Sequence, residues 1–239
     1  MLVDRHLDWD GCYNVRDLGG FRTGEGRVTR RGAVVRSDSP DRLTPAGWSA
    51  LAAYGVRTVV DLRNDEERQA AAEARPIGVD VVHAPLDDLA DTEFWEVWGQ
   101  GLQGTPLYYR PFLDRFPERC AAAVAAVAHA RPGGVLIHCA VGRDRTGLIT
   151  LLLLALAGVA HEEIASDYEL SADRLRPLFA TLGVADQGPI VREVLLRENT
   201  SVRAVVLATL ESLDADAYLR AAGLGSGDLA AVRARLLTG

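Results

Sequence analysis

The sequence contains no lysine: all 26 of its basic residues are arginine. That absence excludes a Schiff-base lysine and a nucleotide-binding loop of the GxxxxGKS or GxxxxGKT kind. Cysteine is scarce as well. Cys12, Cys120 and Cys139 are too few and too scattered for a disulfide framework or a zinc cage. The five histidines include no HxxxH pair, so a metal-dependent hydrolase has no evident ligand set, and neither metal nor cofactor is expected. No run of five basic residues offsets the net charge of −7, which argues against nucleic acid or an anionic membrane surface as partner. An anionic substrate therefore needs a local electropositive pocket. Long apolar runs are missing too. The longest extends from Leu148 to Ala160 and is interrupted by Thr150 and Gly158, which suits a buried helix better than a membrane span. The N-terminal MLVDRHLDWDGCYNVRD lacks the apolar stretch of a signal peptide. The expectation is a reduced, cytoplasmic protein with no stable membrane insertion.

What is present is ordinary for a globular chain: 239 residues, 48% hydrophobic and 25% charged. No repeat or low-complexity linker divides it, so residues 1–239 are expected to form a single domain. Strands are expected at 33–37, 56–63, 79–86 and 133–139, each rich in β-branched residues or announced by glycine. Thr44-Pro45 starts a helix as N-cap and first helical residue, with Leu43 and Trp48 placed for a hydrophobic staple, and Gly55 follows its end. Asn64 and Glu67 predict a capping box for a helix reaching about Ala74. Residues 90–130 read as mainly helical, broken between Gly99 and Pro106, with aromatics clustered at 94–116. A helix from about Asp144 to Ala157 is apolar on nearly every side, and three or four amphipathic helices follow, separated at 183–184, 186–189 and 223–227. Strands alternating with helices imply an α/β fold with a mainly parallel central sheet flanked by helices.

The segment that carries chemistry is HCAVGRDRTG, residues 138–147. It joins a buried strand to the N-terminus of a buried helix, where α/β folds place ligand sites. Five residues separate Cys139 from Arg145. A loop of that length can turn the backbone N–H groups of Ala140, Val141, Gly142, Arg143, Asp144, Arg145 and Thr146 inward as an anion nest. Gly142 lets it bend without an obstructing Cβ. At a helix N-terminus beside a cation, a thiol pKa falls from near 8.5 to about 3.5–7.5, so Cys139 is expected as a thiolate nucleophile. Arg145 supplies a planar fork that matches two phosphate oxygens. Thr146 can hydrogen-bond the sulfur. Cys12 and Cys120 are better read as packed thiols.

HCAVGRDRTG resembles the HCx5R signature of the protein tyrosine phosphatase superfamily. NVRDLGG (14–20), RSDSPDRLT (36–44), VVDLRNDEE (59–67), YYRPFLDRF (108–116) and SDYELS (166–171) resemble, in the same order, landmarks of its bacterial atypical branch. That branch acts on phosphotyrosine and in some cases on phosphoserine, phosphothreonine or phosphoinositides. The resemblance thus implies a phosphatase working through a phosphocysteine, with phosphorylated protein or phosphoinositide as substrate. The branch usually carries Lys-Asp before the arginine; here the pair is Arg143-Asp144. The resemblance also makes Asp144 the general acid and His138 a supporting residue that orients the loop.

A carboxylate beside Arg145 is a poor acid at neutral pH unless bound dianionic phosphate raises its pKa. Asp87, Asp88 and Asp114 therefore remain alternative acids, with Asp144 then holding the loop. Asp17, Asp61 and Arg63 are expected at the C-terminal edge of the sheet, either bracing the loop or in surface ion pairs. The aromatics at 94–116 are either core or a lid over the site, and analogy with the family favours a lid. Two other functions fit a cysteine in an anion-cradling loop: a rhodanese-like sulfurtransferase, against which the HC start and RTG end argue, and a non-catalytic phospho-binding module, against which the intact cysteine, arginine and aspartate argue.

Overall fold

Side-chain alternation and burial organise the sheet. The computed structural model describes residues 5–68 and 76–238. Its strands are β1 (Arg16–Asp17), β2 (Val34–Ser37), β3 (Val56–Asp61), β4 (Asp80–His83) and β5 (Gly134–His138), in the spatial order β1-β2-β5-β3-β4. β2, β5, β3 and β4 run parallel, and β1 is antiparallel to β2. β5 is central and wholly buried, which explains its uninterrupted apolar run. Alternate residues face opposite sides. Val34, Val60, Val135 and Ile137 enter the larger core, while Val35, Val59 and Leu136 pack with Trp48 and Leu51.

The second group belongs under α1 (Pro45–Ala53), where the Thr44 Oγ accepts the Gly47 N–H at 3.2 Å. Leu43 and Trp48 share that core, as the staple requires. Helices α2 (Thr92–Trp98), α3 (Tyr109–Arg115) and α4 (Pro117–His129) follow β4. Phe94, Tyr108, Tyr109, Phe112 and Phe116 from this stretch are core residues. α5 (Asp144–Leu156) lies in the middle of the larger core and is buried almost all round. The α/β expectation with a mainly parallel sheet holds. Among the described residues no helix is long and apolar enough to cross a membrane.

Two local expectations are corrected. The Asn64 N–H does reach the Glu67 carboxylate, at 3.0 Å, but Asp65–Glu67 forms one 3-10 turn and Arg68 is extended; the rest of the expected helix, residues 69–75, lies outside the described residues. After α5 come five helices rather than three or four: α6 (His161–Leu182), α7 (Gly188–Arg197), α8 (Val202–Glu211), α9 (Ala215–Ala221) and α10 (Ser226–Leu236). The extra breaks occur at Asn199, with φ of 51°, and at Asp214, whose carboxylate caps α9. Neither break contains the glycine or proline that usually announces one. Finally, β1 is only two residues long, too short for a visible alternation.

Candidate active site

Parallel strands present their C-terminal ends along one edge, and the central strand β5 delivers Cys139 there. The loop that follows is held from behind by its carbonyls. The Ala140 carbonyl accepts from the Ser39 N–H (3.1 Å) and Arg42 Nη2 (3.2 Å). Asn14 Nδ2 donates to the carbonyls of Val141 (3.1 Å) and Gly142 (3.0 Å), and Arg36 Nη2 donates to Gly142 at 2.8 Å. In a planar trans peptide the next N–H points opposite to the carbonyl. The amides of Val141, Gly142 and Arg143 therefore turn away from that support, and among the described residues none of them donates to a protein acceptor. Gly142 is required twice over: its φ is +69°, and a Cβ would lie 2.2 Å from the Ser37 carbonyl oxygen.

The support is charged. Asp167 on α6, fully buried, accepts from Arg5 Nη1 (2.8 Å), Arg16 Nε (3.0 Å) and Arg36 Nη1 (2.7 Å). Burial opposes the ionisation of Asp167, but the three guanidinium groups outweigh it and hold the carboxyl below its usual range. Burial and the neighbouring Arg36 lower the Arg16 pKa to about 9, which leaves it charged at neutral pH. Two positive charges in excess thus sit behind the loop of a protein whose net charge is −7.

In front of the loop is a cavity of about 440 Å³ whose lining includes Cys139, Asp144, Arg145, Asp87, Tyr108 and Gln187. Arg145 braces two of its five N–H donors on Glu67: Nη2 donates to Oε1 at 2.6 Å and Nη1 donates to Oε2. Asp87 Oδ2 lies 3.2 Å from the same guanidinium. Burial works against the Arg145 charge, but Glu67, the Cys139 sulfur and Asp87 outweigh it and raise its pKa. Burial likewise pushes Asp87 up to about 6, with Glu67 and Asp144 adding to the shift and Arg145 opposing it. Asp144 accepts from Arg143 Nε (3.0 Å) and Nη2 (3.2 Å) and from the Tyr168 hydroxyl (3.3 Å). Thr146, at the start of α5, is fully buried, and its hydroxyl has no partner among the described residues. The next residue, Gly147, makes room for Tyr109: a Cβ there would lie 2.5 Å from the phenol oxygen, which donates to the Asp144 carbonyl at 2.7 Å.

His138 faces the other way. Its Nδ1 donates to the Cys139 carbonyl at 3.1 Å, its Nε2 lies 3.6 Å from Asp61, and burial lowers its pKa. It is a neutral brace in the described geometry. Arg63 binds Asp61 (2.8 Å), Asp41 (2.6 Å) and the Ser39 hydroxyl (3.0 Å), tying β3 to the turn that holds Ala140.

A profile of the tyrosine phosphatase family matches residues 7–238. The chain belongs to that family. A Cupriavidus necator protein provisionally named a tyrosine-protein phosphatase is 33% identical over 98% of this chain and 90% of its own length. The Mycobacterium tuberculosis triple specificity protein phosphatase PtpB is 31% identical over 72% of this chain and 71% of its own length. A Nostoc commune tyrosine-protein phosphatase is 35% identical over 60% of this chain and 49% of its own length. The resemblance read from HCAVGRDRTG and its flanking landmarks is thus shown.

Of the residues singled out in the sequence, Cys139, Ala140, Val141, Arg143, Asp144 and Arg145 line the cavity together. Asp87 joins them. Asp88 does not: it pairs with Arg119 at 3.1 Å. Asp114 is paired with Arg110 on the exposed face of α3. Asp17 lies at the opposite end of the sheet, accepting the Gly19 and Gly32 N–H groups, because antiparallel β1 carries it toward the start of β2. The sequence reading missed Asn14, Arg36, Asp167 and, as a partner of Arg145, Glu67. All four sit inside landmarks that the family resemblance had marked without assigning them work.

Asp87 gives a prediction whose sign is fixed. A carboxyl raised from 3.8 to about 6 by folding is free of penalty below about pH 4, and the penalty grows as pH rises through 6. Asp87→Asn should therefore stabilise the protein at pH 7.5, by at most about 3 kcal/mol, and leave stability unchanged at pH 4. Urea midpoints at the two pH values measure it; a pH-independent difference would contradict the charge-burial origin.

Proposed function

We propose that this phosphatase hydrolyses phosphate monoesters through a phosphocysteine formed on Cys139, with phosphotyrosine as its principal substrate and phosphoserine, phosphothreonine or phosphoinositides as further ones. The observation that carries it is one cavity containing the Cys139 sulfur, the Arg145 fork, the Asp144 carboxylate and an amide-lined loop with an electropositive back. Sulfur attacks phosphorus in line, the P–O ester bond breaks, and the departing oxygen takes a proton from Asp144. Water then attacks phosphorus, gives its proton to Asp144, and the P–S bond breaks to return the thiolate. Arg145 and the inward N–H groups bind the equatorial oxygens in both steps. The lone buried Thr146 hydroxyl is available to donate to the sulfur as it leaves. His138 holds the carbonyl from which the loop departs.

Breadth of substrate is supported by the name of the Mycobacterium tuberculosis relative, a triple specificity phosphatase. Phosphate release from phosphotyrosine, phosphoserine and phosphoinositide substrates, with detection of phosphocysteine after rapid acid quench, tests the proposal. Failure to trap the intermediate in a turning-over enzyme would remove the covalent route.

The elevated Asp87 supports a second reading, in which Asp87 is the acid and Asp144 orients Arg143. Leaving groups separate the two. A phenol such as tyrosine has a pKa near 10 and needs a proton as it leaves, whereas an activated aryl leaving group hardly does. Asp144→Asn should lower kcat on phosphotyrosine by about 100-fold or more and on p-nitrophenyl phosphate far less. Asp87→Asn should change both substrates alike. The reverse pattern would assign the proton to Asp87.

A further inference from the structure

A second cavity, about 500 Å³, opens between α6, α7 and the start of α8. Its walls are apolar, formed by Ala172, Leu175, Phe179, Val191, Leu195 and Val202. Arg143 and Val191 line both this cavity and the catalytic one, so the two are neighbours across a thin partition. Arg143 forms that partition by donating to Asp144 on one side and to Gln187, at the start of α7, at 3.1 Å. Val141 of the phosphate loop packs against Leu175, Leu178 and Phe179, so the loop and the cavity wall are continuous. On α7, Ile190 at the catalytic cavity is 57% exposed and Leu196 at the second is 67% exposed.

We infer that this second cavity is a subsite for an apolar side chain of a peptide substrate, close in sequence to the residue whose phosphate lies over Cys139. The inference rests on the phosphomonoesterase reading above and adds a substrate class to it. The boundary of the cavity favours a peptide over an acyl chain. It carries both signs of charge, Arg176 and Arg192 against Glu169 and Asp186, with the Thr200 and Ser201 hydroxyls between them. A peptide brings both N–H donors and carbonyl acceptors that complement a rim of both signs, whereas an acyl chain brings neither and gains nothing from it. The volume suits one large aliphatic or aromatic side chain with room for its backbone.

The test is a leucine scan of a phosphotyrosine peptide, placing one leucine at each of the three positions before and after the phosphotyrosine in an otherwise alanine background. One position should raise kcat/KM about tenfold over the all-alanine peptide, mainly through KM, the range a filled apolar pocket supplies. Ala172→Trp, which fills the cavity from an exposed position on α6, should bring that ratio close to one. Leu196→Asp, at an exposed site on α7, is the second variant and should do the same by charging the wall. A scan in which no leucine gains more than twofold, or a gain that survives both variants, overturns the inference. So does a short-chain phosphoinositide that loses turnover in both variants while the peptides do not, since the occupant is then an acyl chain. Turnover of p-nitrophenyl phosphate separates this failure from a deeper one: a wild-type enzyme that releases phosphate from neither the aryl ester nor any peptide overturns the phosphatase mechanism and the subsite with it.

Discussion

Cys139→Ser lowers kcat by about 10,000-fold or more while leaving the fold and the affinity for inorganic phosphate nearly unchanged. The cause is the nucleophile alone. Cys139 is 2% exposed at the end of β5, and exchanging sulfur for oxygen there costs little packing. The loop that would hold the anion is supported by Ser39, Asn14, Arg36 and Arg42, none of which touches the thiol in the described hydrogen bonds. A serine hydroxyl, by contrast, lacks the low pKa of a thiol, stays protonated at neutral pH and is then a far weaker nucleophile. Steady-state kinetics and calorimetric titration with inorganic phosphate measure the two effects. Activity within about tenfold of wild type would remove Cys139 as the covalent nucleophile.

Arg145→Lys lowers kcat by about 100-fold to 1,000-fold although it keeps the charge. The fork of Arg145 is engaged on both carboxylate oxygens of Glu67 and lies 3.2 Å from Asp87. That bracing fixes the plane of the guanidinium, and an ammonium is a point charge that cannot hold a fork against Glu67 while presenting two donors to phosphate. The loss should therefore fall mainly on kcat, because charge on the equatorial oxygens must be met in the transition state without rearrangement. A raised KM with kcat preserved would mean that Arg145 only retains substrate. The Glu67 carboxylate that accepts the Asn64 N–H is also the one that holds Arg145, the proposed phosphate clamp.

The aromatic stretch at 94–116, which analogy with the family favours as a lid, mostly packs in the core. Phe94, Tyr108, Tyr109, Phe112 and Phe116 are core residues, and edge-to-face contacts such as Phe94–Phe116, with centroids 4.9 Å apart, lock them together. What remains over the cavity from that stretch is Trp95, Gly101, Gly104 and the face of Tyr108.

Much of this protein was legible in its sequence because the signals are local. β-Branched residues and flanking glycines marked the buried strands, Thr44-Pro45 marked the start of α1, and ten contiguous residues, HCAVGRDRTG, carried the proposed nucleophile, the proposed clamp and the glycine that the loop requires. The spacing of those residues along a strand, a loop and a helix start determines their relative placement whatever the rest of the chain does. Only tertiary structure decided which distant groups serve the loop. Asp87 reaches the cavity and its neighbour Asp88 does not. Asp17 lies at the far end because a two-residue strand runs antiparallel. Asp167 gathers Arg5, Arg16 and Arg36 from more than a hundred residues away. Such pairings have no sequence period: a buried charge is tolerated only where folding brings it a partner, and which partner arrives depends on how the sheet is ordered and which way each strand runs.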